Sequence, residues 1–166
     1  MLQHIYQYYN GEKLGVPYFV SIGIIFLLVG LLLWLKFFEN PISKGFGTGL
    51  FIVGIILVVG GFSALKFNNQ KIAQLSTRQS ETELVLKESE IIRMEKVMNV
   101  TFRYAFIAFA TITTILIWIT VFTKSYYWKG FSIAFILLVL ILLIFDTYNS
   151  KRNAAYFELV KEYKIE

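Results

Sequence analysis

Four long apolar runs, separated by short polar breaks, dominate the chain. Residues 17–35, 45–65, 104–123 and 130–145 contain no charged side chain, and a lysine, arginine or aspartate closes at least one end of each. At ~1.5 Å per residue, the first run covers ~28 Å, close to the ~30 Å hydrocarbon core of a bilayer. The last is the shortest at ~24 Å. Lys129 can snorkel and Tyr126, Tyr127 and Trp128 can sit at the interface, which lets it span. The pattern predicts an all-α integral membrane protein: a single four-span domain over residues 1–166, with four transmembrane helices arranged as two antiparallel hairpins.

The breaks are of unequal length. Phe37-Phe38-Glu39-Asn40-Pro41 leaves room only for a hairpin turn. In residues 1–15, Leu2, Ile5, Tyr6 and Tyr9 fall on one helical face, opposite Gln3, Gln7 and Asn10. This suits an interfacial N-terminal segment lying along the headgroups. Gly11 and Gly15 should break it, and Pro17 suits the first turn of the next helix.

The long polar stretch, residues 66–103, reads as a cytoplasmic helical connector between the second and third spans. Asn68-Asn69 and Ser76-Thr77 weaken the continuation of the second span. Ser80-Glu81-Thr82-Glu83 has capping-box spacing, so a new helix is expected to start there. No Pro or Gly lies between Glu81 and Thr123, so that helix can run unbroken into the third span. Leu84, Ile91 and Met98 recur every seven residues, with Val85 and Ile92 alongside, and Glu83 pairs with Lys87 at i, i+4. Glu81, Glu83, Glu88, Glu90 and Glu95 alternate with bases as on a solvated helix face. The cytoplasmic tail, 148–166, is an amphipathic C-terminal helix with Tyr156, Leu159, Val160 and Tyr163 on one side. These stripes should pack on each other beneath the membrane, or on another subunit. The candidate partner-docking stripe is therefore Leu84, Ile91, Met98, Tyr156, Leu159 and Tyr163.

Inside the apolar runs, glycine recurs at seven-residue intervals. Gly47, Gly54 and Gly61 line the second run, and Gly23 and Gly30 line the first. Such rows make smooth grooves where backbones approach and dispersion replaces the missing hydrophobic drive, so these five are the candidate helix-packing residues. Gly45 and Gly49 add a GxxxG to the second run. Thr111, Thr113, Thr114 and Thr120 of the third run could line a polar path, but Phe106 and Phe109 share the face of Thr113 and Thr120. Such hydroxyls commonly bond back to their own helix. Arg103 and Asp146 close the third and fourth runs at equal depth and form a candidate inner-boundary ion pair. No ionisable residue or proline interrupts the runs, unlike the helices of many pumps and transporters.

Composition adds orientation and removes chemistries. The chain is 57% apolar with a formal charge of +5. Its bases flank the runs and form no patch, which argues against nucleic acid as a partner. Lys36, Lys44, Lys124 and Lys129 serve the two short loops, and the other twelve of the sixteen bases lie on the side shared by the termini and the connector. The positive-inside rule then predicts cytoplasmic termini. Trp34, Trp118 and Trp128 fall in the opposite half, as an aromatic belt. With no cysteine and His4 as the only histidine, thiol chemistry is excluded and a metal centre is not expected. No Ser/His/Asp set or phosphate-cradling loop is present. No catalytic residue, cofactor or metal is therefore expected.

The expected function is that of a non-catalytic membrane protein acting through protein–protein association in and under the bilayer, of the immunity or accessory-subunit type. The alternative is a subunit of a homo-oligomeric channel or pore gated through its cytoplasmic helices. The expected partners are the lipid bilayer and either another protein or further copies of the chain. The abundance of Ile, Phe, Tyr, Asn and Lys points to an AT-rich genome and a bacterial inner membrane.

Overall fold

The computed structural model of the chain describes residues 1–36 and 39–164. Phe37 and Phe38 of the expected hairpin turn, and the last two residues of the 148–166 tail, lie outside the described residues. The fold is all-helical: α1 (Leu2–Lys13), α2 (Val16–Lys36), α3 (Pro41–Thr77), α4 (Glu83–Lys96), a π-helical turn (Val97–Thr101), α5 (Phe102–Phe122) and α6 (Tyr126–Glu162). Four helical stretches are long and apolar enough to cross a membrane: Leu2–Lys36, Pro41–Thr77, Glu83–Phe122 and Tyr126–Glu162.

Two boundaries depart from the expected ones. The helix of the second span is not interrupted after residue 65, because α3 continues through Asn68-Asn69 to Thr77. Asparagine costs only ~0.7 kcal/mol per residue relative to alanine in a helix. The continuation buries Leu75 and packs Ile72 against a core below the spans, which offsets that cost. Likewise the fourth span and the tail are one helix of 37 residues, not a 16-residue span followed by a separate segment. It starts at Tyr126, which removes the shortfall in length.

Local signals at the helix starts are unequal. Asn40 caps α3: its side-chain oxygen accepts from the Ile42 and Ser43 amides at 3.0 and 3.3 Å, with Pro41 at the first helical position. The capping box expected at 80–83 does not form. Thr82 stands at the N-cap of α4 without a side-chain bond, and the Glu83 carboxylate accepts from the Met1 ammonium and the Tyr163 hydroxyl instead of reaching back to Ser80.

In the membrane-crossing part, α3 packs on α2 and on α6, and α5 packs on α6. The α2–α3 contact is backbone to backbone. A Cβ on Gly30 would lie 2.7 Å from the Gly47 carbonyl, and one on Gly47 would lie 3.0 Å from the Gly30 carbonyl. Gly23 and Gly54 stand in the same reciprocal relation, at 3.0 and 2.7 Å, and Gly61 meets Val20 at 2.9 Å. The other side of α3 uses Gly45 and Gly49 against Tyr127, Phe131 and Ala134 of α6, while Gly130 of α6 abuts the Ile42 carbonyl. Val53, Leu57 and Leu138 fill the centre, with Phe19, Phe26 and Phe135 around them.

A second core lies below the spans, at the polar end that carries α1, α4 and the end of α6. Met1, Ile5, Tyr9, Leu75, Leu86, Met94, Tyr156 and Val160 form it. The apolar face of α1 is therefore spent on protein: Ile5 and Tyr9 are buried, and Tyr6 alone of the four expected face residues is largely exposed. The break between α1 and α2 falls at Leu14-Gly15, and Gly11 stays inside α1.

Candidate functional site at the polar end

The inward face of α4 consists of Leu86, Glu90 and Met94, one turn apart, and all three are buried. Glu90, expected on a solvated face, is 3% exposed. Arg93 holds it in a fork, with Nε and Nη2 donating to Oε2 at 2.8 and 2.7 Å. The Tyr156 hydroxyl donates to the same oxygen at 3.4 Å. The Arg93 guanidinium lies over the Tyr8 and Tyr9 rings, 5.1 and 5.3 Å from their centroids, an arrangement that favours the cation. Tyr8 stacks on Tyr156 with centroids 4.2 Å apart, and its hydroxyl donates to Asn153 Oδ1. Asn153 in turn donates to the Asn149 carbonyl at 2.9 Å.

These groups lie outside the apolar runs, and their surroundings set their charge. Burial pushes the Tyr8 and Tyr156 phenols far up, with the nearby carboxylates Glu12 and Glu90 respectively adding to the effect. Burial also raises Tyr9. Burial alone would lower Arg93, but the hydrogen bonds and charge of Glu90 outweigh it and raise it further. The result is a neutral tyrosine cage around the Arg93–Glu90 pair.

Shorter ties fasten the rest of this end. Arg152 pairs with Glu12 and donates from Nη1 to the Gly11 carbonyl at 2.7 Å. Glu83 accepts from the Met1 ammonium at 2.8 Å and from the Tyr163 hydroxyl at 3.0 Å, which holds its carboxyl below the usual range. Lys87 donates to the Tyr163 carbonyl at 2.8 Å instead of pairing with Glu83. The His4 ring meets Tyr163 edge-on at 5.7 Å.

The expected docking stripe is divided by this packing. Tyr156 is buried in the polar-end core, Ile91 and Tyr163 pack against its edge, Met98 is half-buried, and Leu84 and Leu159 stay exposed. The seven-residue phase of Leu84, Ile91 and Met98 is not the phase α4 uses: its buried face recurs at four. Arg103 and Asp146 make no ion pair. Arg103 shares its helical face with Ile107, Ala110 and Thr114, all exposed, while Phe102, Phe106, Phe109 and Thr113 are among the half-buried positions of α5. Thr111, Thr114 and Thr120 donate to carbonyls one turn back at 2.9, 2.8 and 2.8 Å. Among the described residues, no three His, Cys, Asp or Glu side chains converge.

Sequence reasoning did not single out Tyr8, Arg93, Arg152 or Asn153, and read Asn68 only as a residue that weakens the helix. The available signal was Leu86-x-x-x-Glu90-x-x-x-Met94, a carboxylate between two apolar residues on one face, with Arg93 three positions after Glu90. Comparison with family models, curated proteins and solved structures finds no match.

Proposed function

We propose that this chain is a non-catalytic inner-membrane protein that acts by associating with another protein, in the manner of an immunity protein or accessory subunit. In this reading the spans form two antiparallel hairpins, α2–α3 and α5–α6, and the polar end with both termini lies in the cytoplasm, where most of the bases are. One observation carries the association reading: α5 contributes no buried residue, whereas α2, α3 and α6 each seat small residues deep in the bundle. Ile112, Ile115 and Trp118 form an apolar face on α5 that this chain leaves uncovered. The channel reading draws less support, since three of the α5 threonine hydroxyls are spent on their own helix and glycine contact closes the α2–α3 seam.

A photoreactive residue at Ile115, activated in living cells, tests the reading. A discrete protein adduct is expected there and not at Leu28, an equally lipid-accessible position on α2. Lipid adducts alone at both positions would overturn it.

A further inference from the structure

A cavity of about 490 Å³ opens at the polar end, between α1, α3, the start of α5 and the lower half of α6. Its volume falls in the ~300–1,000 Å³ range of small-molecule sites. Phe67 and Phe102 line it beside Asn68, Lys71, Arg93 and Asn153. The apolar run of α3 stops at residue 65 and that of α5 starts at 104, so the cavity lies at the depth where hydrocarbon gives way to headgroups.

Two features of its wall are not accounted for by the fold. Asn68 is only 7% exposed, and its amide makes no side-chain hydrogen bond to a described residue but opens onto the cavity. Lys71, one turn further along α3, also lines the cavity and has no carboxylate partner among the described residues. Its ammonium lies 5.4 Å from the Phe67 ring centroid and 3.4 Å from the Gln74 amide oxygen. The carboxylates nearby are already neutralised, Glu12 by Arg152 and Glu90 by Arg93, so the Lys71 charge is in excess. The π-helical turn begins at Val97 on the same wall, and such turns are frequent at functional sites.

We propose that this cavity binds a phosphate group, with the Asn68 amide and the Lys71 ammonium as its donors. A cation not neutralised by a described carboxylate, beside an amide that opens onto the same cavity, selects an anion with several acceptor oxygens, and phosphate is the anion every phospholipid bilayer places at this depth. The group comes either from an anionic phospholipid headgroup or from a soluble phosphate. The proposal does not depend on the association reading above.

The full chain in a phosphate-free maltoside detergent provides the test, through its thermal midpoint followed by tryptophan fluorescence. Dioleoylphosphatidylglycerol and inorganic phosphate are titrated separately. A rise with the lipid alone assigns the site to a headgroup, and a rise with inorganic phosphate assigns it to a soluble ligand; either supports the proposal. Lys71→Gln and Asn68→Leu should each weaken the effective ligand about tenfold, the loss of one charge-assisted or buried hydrogen bond. Lys161→Gln, which removes an exposed charge outside the cavity, should leave it unchanged. If Asn68→Leu fails to fold, Lys71→Gln at the half-exposed rim decides alone. No shift with either ligand, or equal weakening by Lys161→Gln, would overturn the proposal.

Discussion

Taking away the Arg93 guanidinium while leaving Glu90 in place would strand a carboxylate that is 4% exposed. Breaking a buried pair in this way costs about 3 kcal/mol, the low end of the range for such pairs because Arg93 is itself 29% exposed. Arg93→Ala should lower the thermal midpoint clearly, and adding Glu90→Leu should recover much of the loss, since an apolar side chain leaves no charge uncompensated. The same midpoint measured on the single and double variants checks both expectations. The tyrosine cage gives a pH prediction of definite sign. Phenols raised above their unfolded value of about 10 contribute stability that is complete below that pH and is lost as pH rises toward their folded values. At pH 11 the phenols of Tyr8 and Tyr156 should still be protonated, so Tyr8→Phe and Tyr156→Phe should leave the phenolate absorbance of the folded protein unchanged. A drop in that absorbance would show that the cage is open to water. None of this was legible from pattern. Glu90 alternates with bases along the sequence as a solvated residue does, and only the third dimension brings Tyr156 and two further tyrosines around it.

At the scale of helices, glycine position divides into two physical cases. The Cβ of an alanine at Gly54 would lie 2.7 Å from a backbone carbonyl, which cannot move without shifting α2. Gly54→Ala should destabilise the bundle by about 1–3 kcal/mol, as overpacking does. Gly60 has nothing within 4 Å of the same position, so Gly60→Ala should be neutral or stabilise by up to about 1 kcal/mol through helix propensity. Detergent-denaturation midpoints of the two variants should therefore move in opposite directions or differ by more than their error. The seven-residue glycine spacing was readable in the sequence because backbone contact demands the smallest residue on one face. The helix ends were less readable. Asn68-Asn69 weakens a helix locally, and the burial of Leu75 that overrides it is a tertiary effect invisible to a local rule. The Leu84-Ile91-Met98 repeat shows the converse: a regular apolar spacing exists, but the core of this chain uses the neighbouring face, Leu86, Glu90 and Met94.

For the molecule as a whole, orientation is open to direct labelling because the chain carries no cysteine of its own. A single cysteine at Lys124, between α5 and α6, should react with a membrane-impermeant maleimide added outside intact cells. One at Ser80, between α3 and α4, should react only after the membrane is opened. The reverse pattern would invert the assignment of the polar end to the cytoplasm. That two helices, α3 and α6, each run 37 residues without a break has a mechanical consequence. Each is ~55 Å long, with about a third of α3 and somewhat under half of α6 lying beyond the end of its apolar run, and neither has a proline or turn at the boundary to act as a joint. The lower ends therefore behave as the far arms of levers whose fulcrum lies in the bilayer. Any force that tilts the spans, whether from a change in membrane thickness or from a neighbour pressing on α5, is carried without a joint to the polar end, where it shifts the walls around Asn68 and Asn153 sideways.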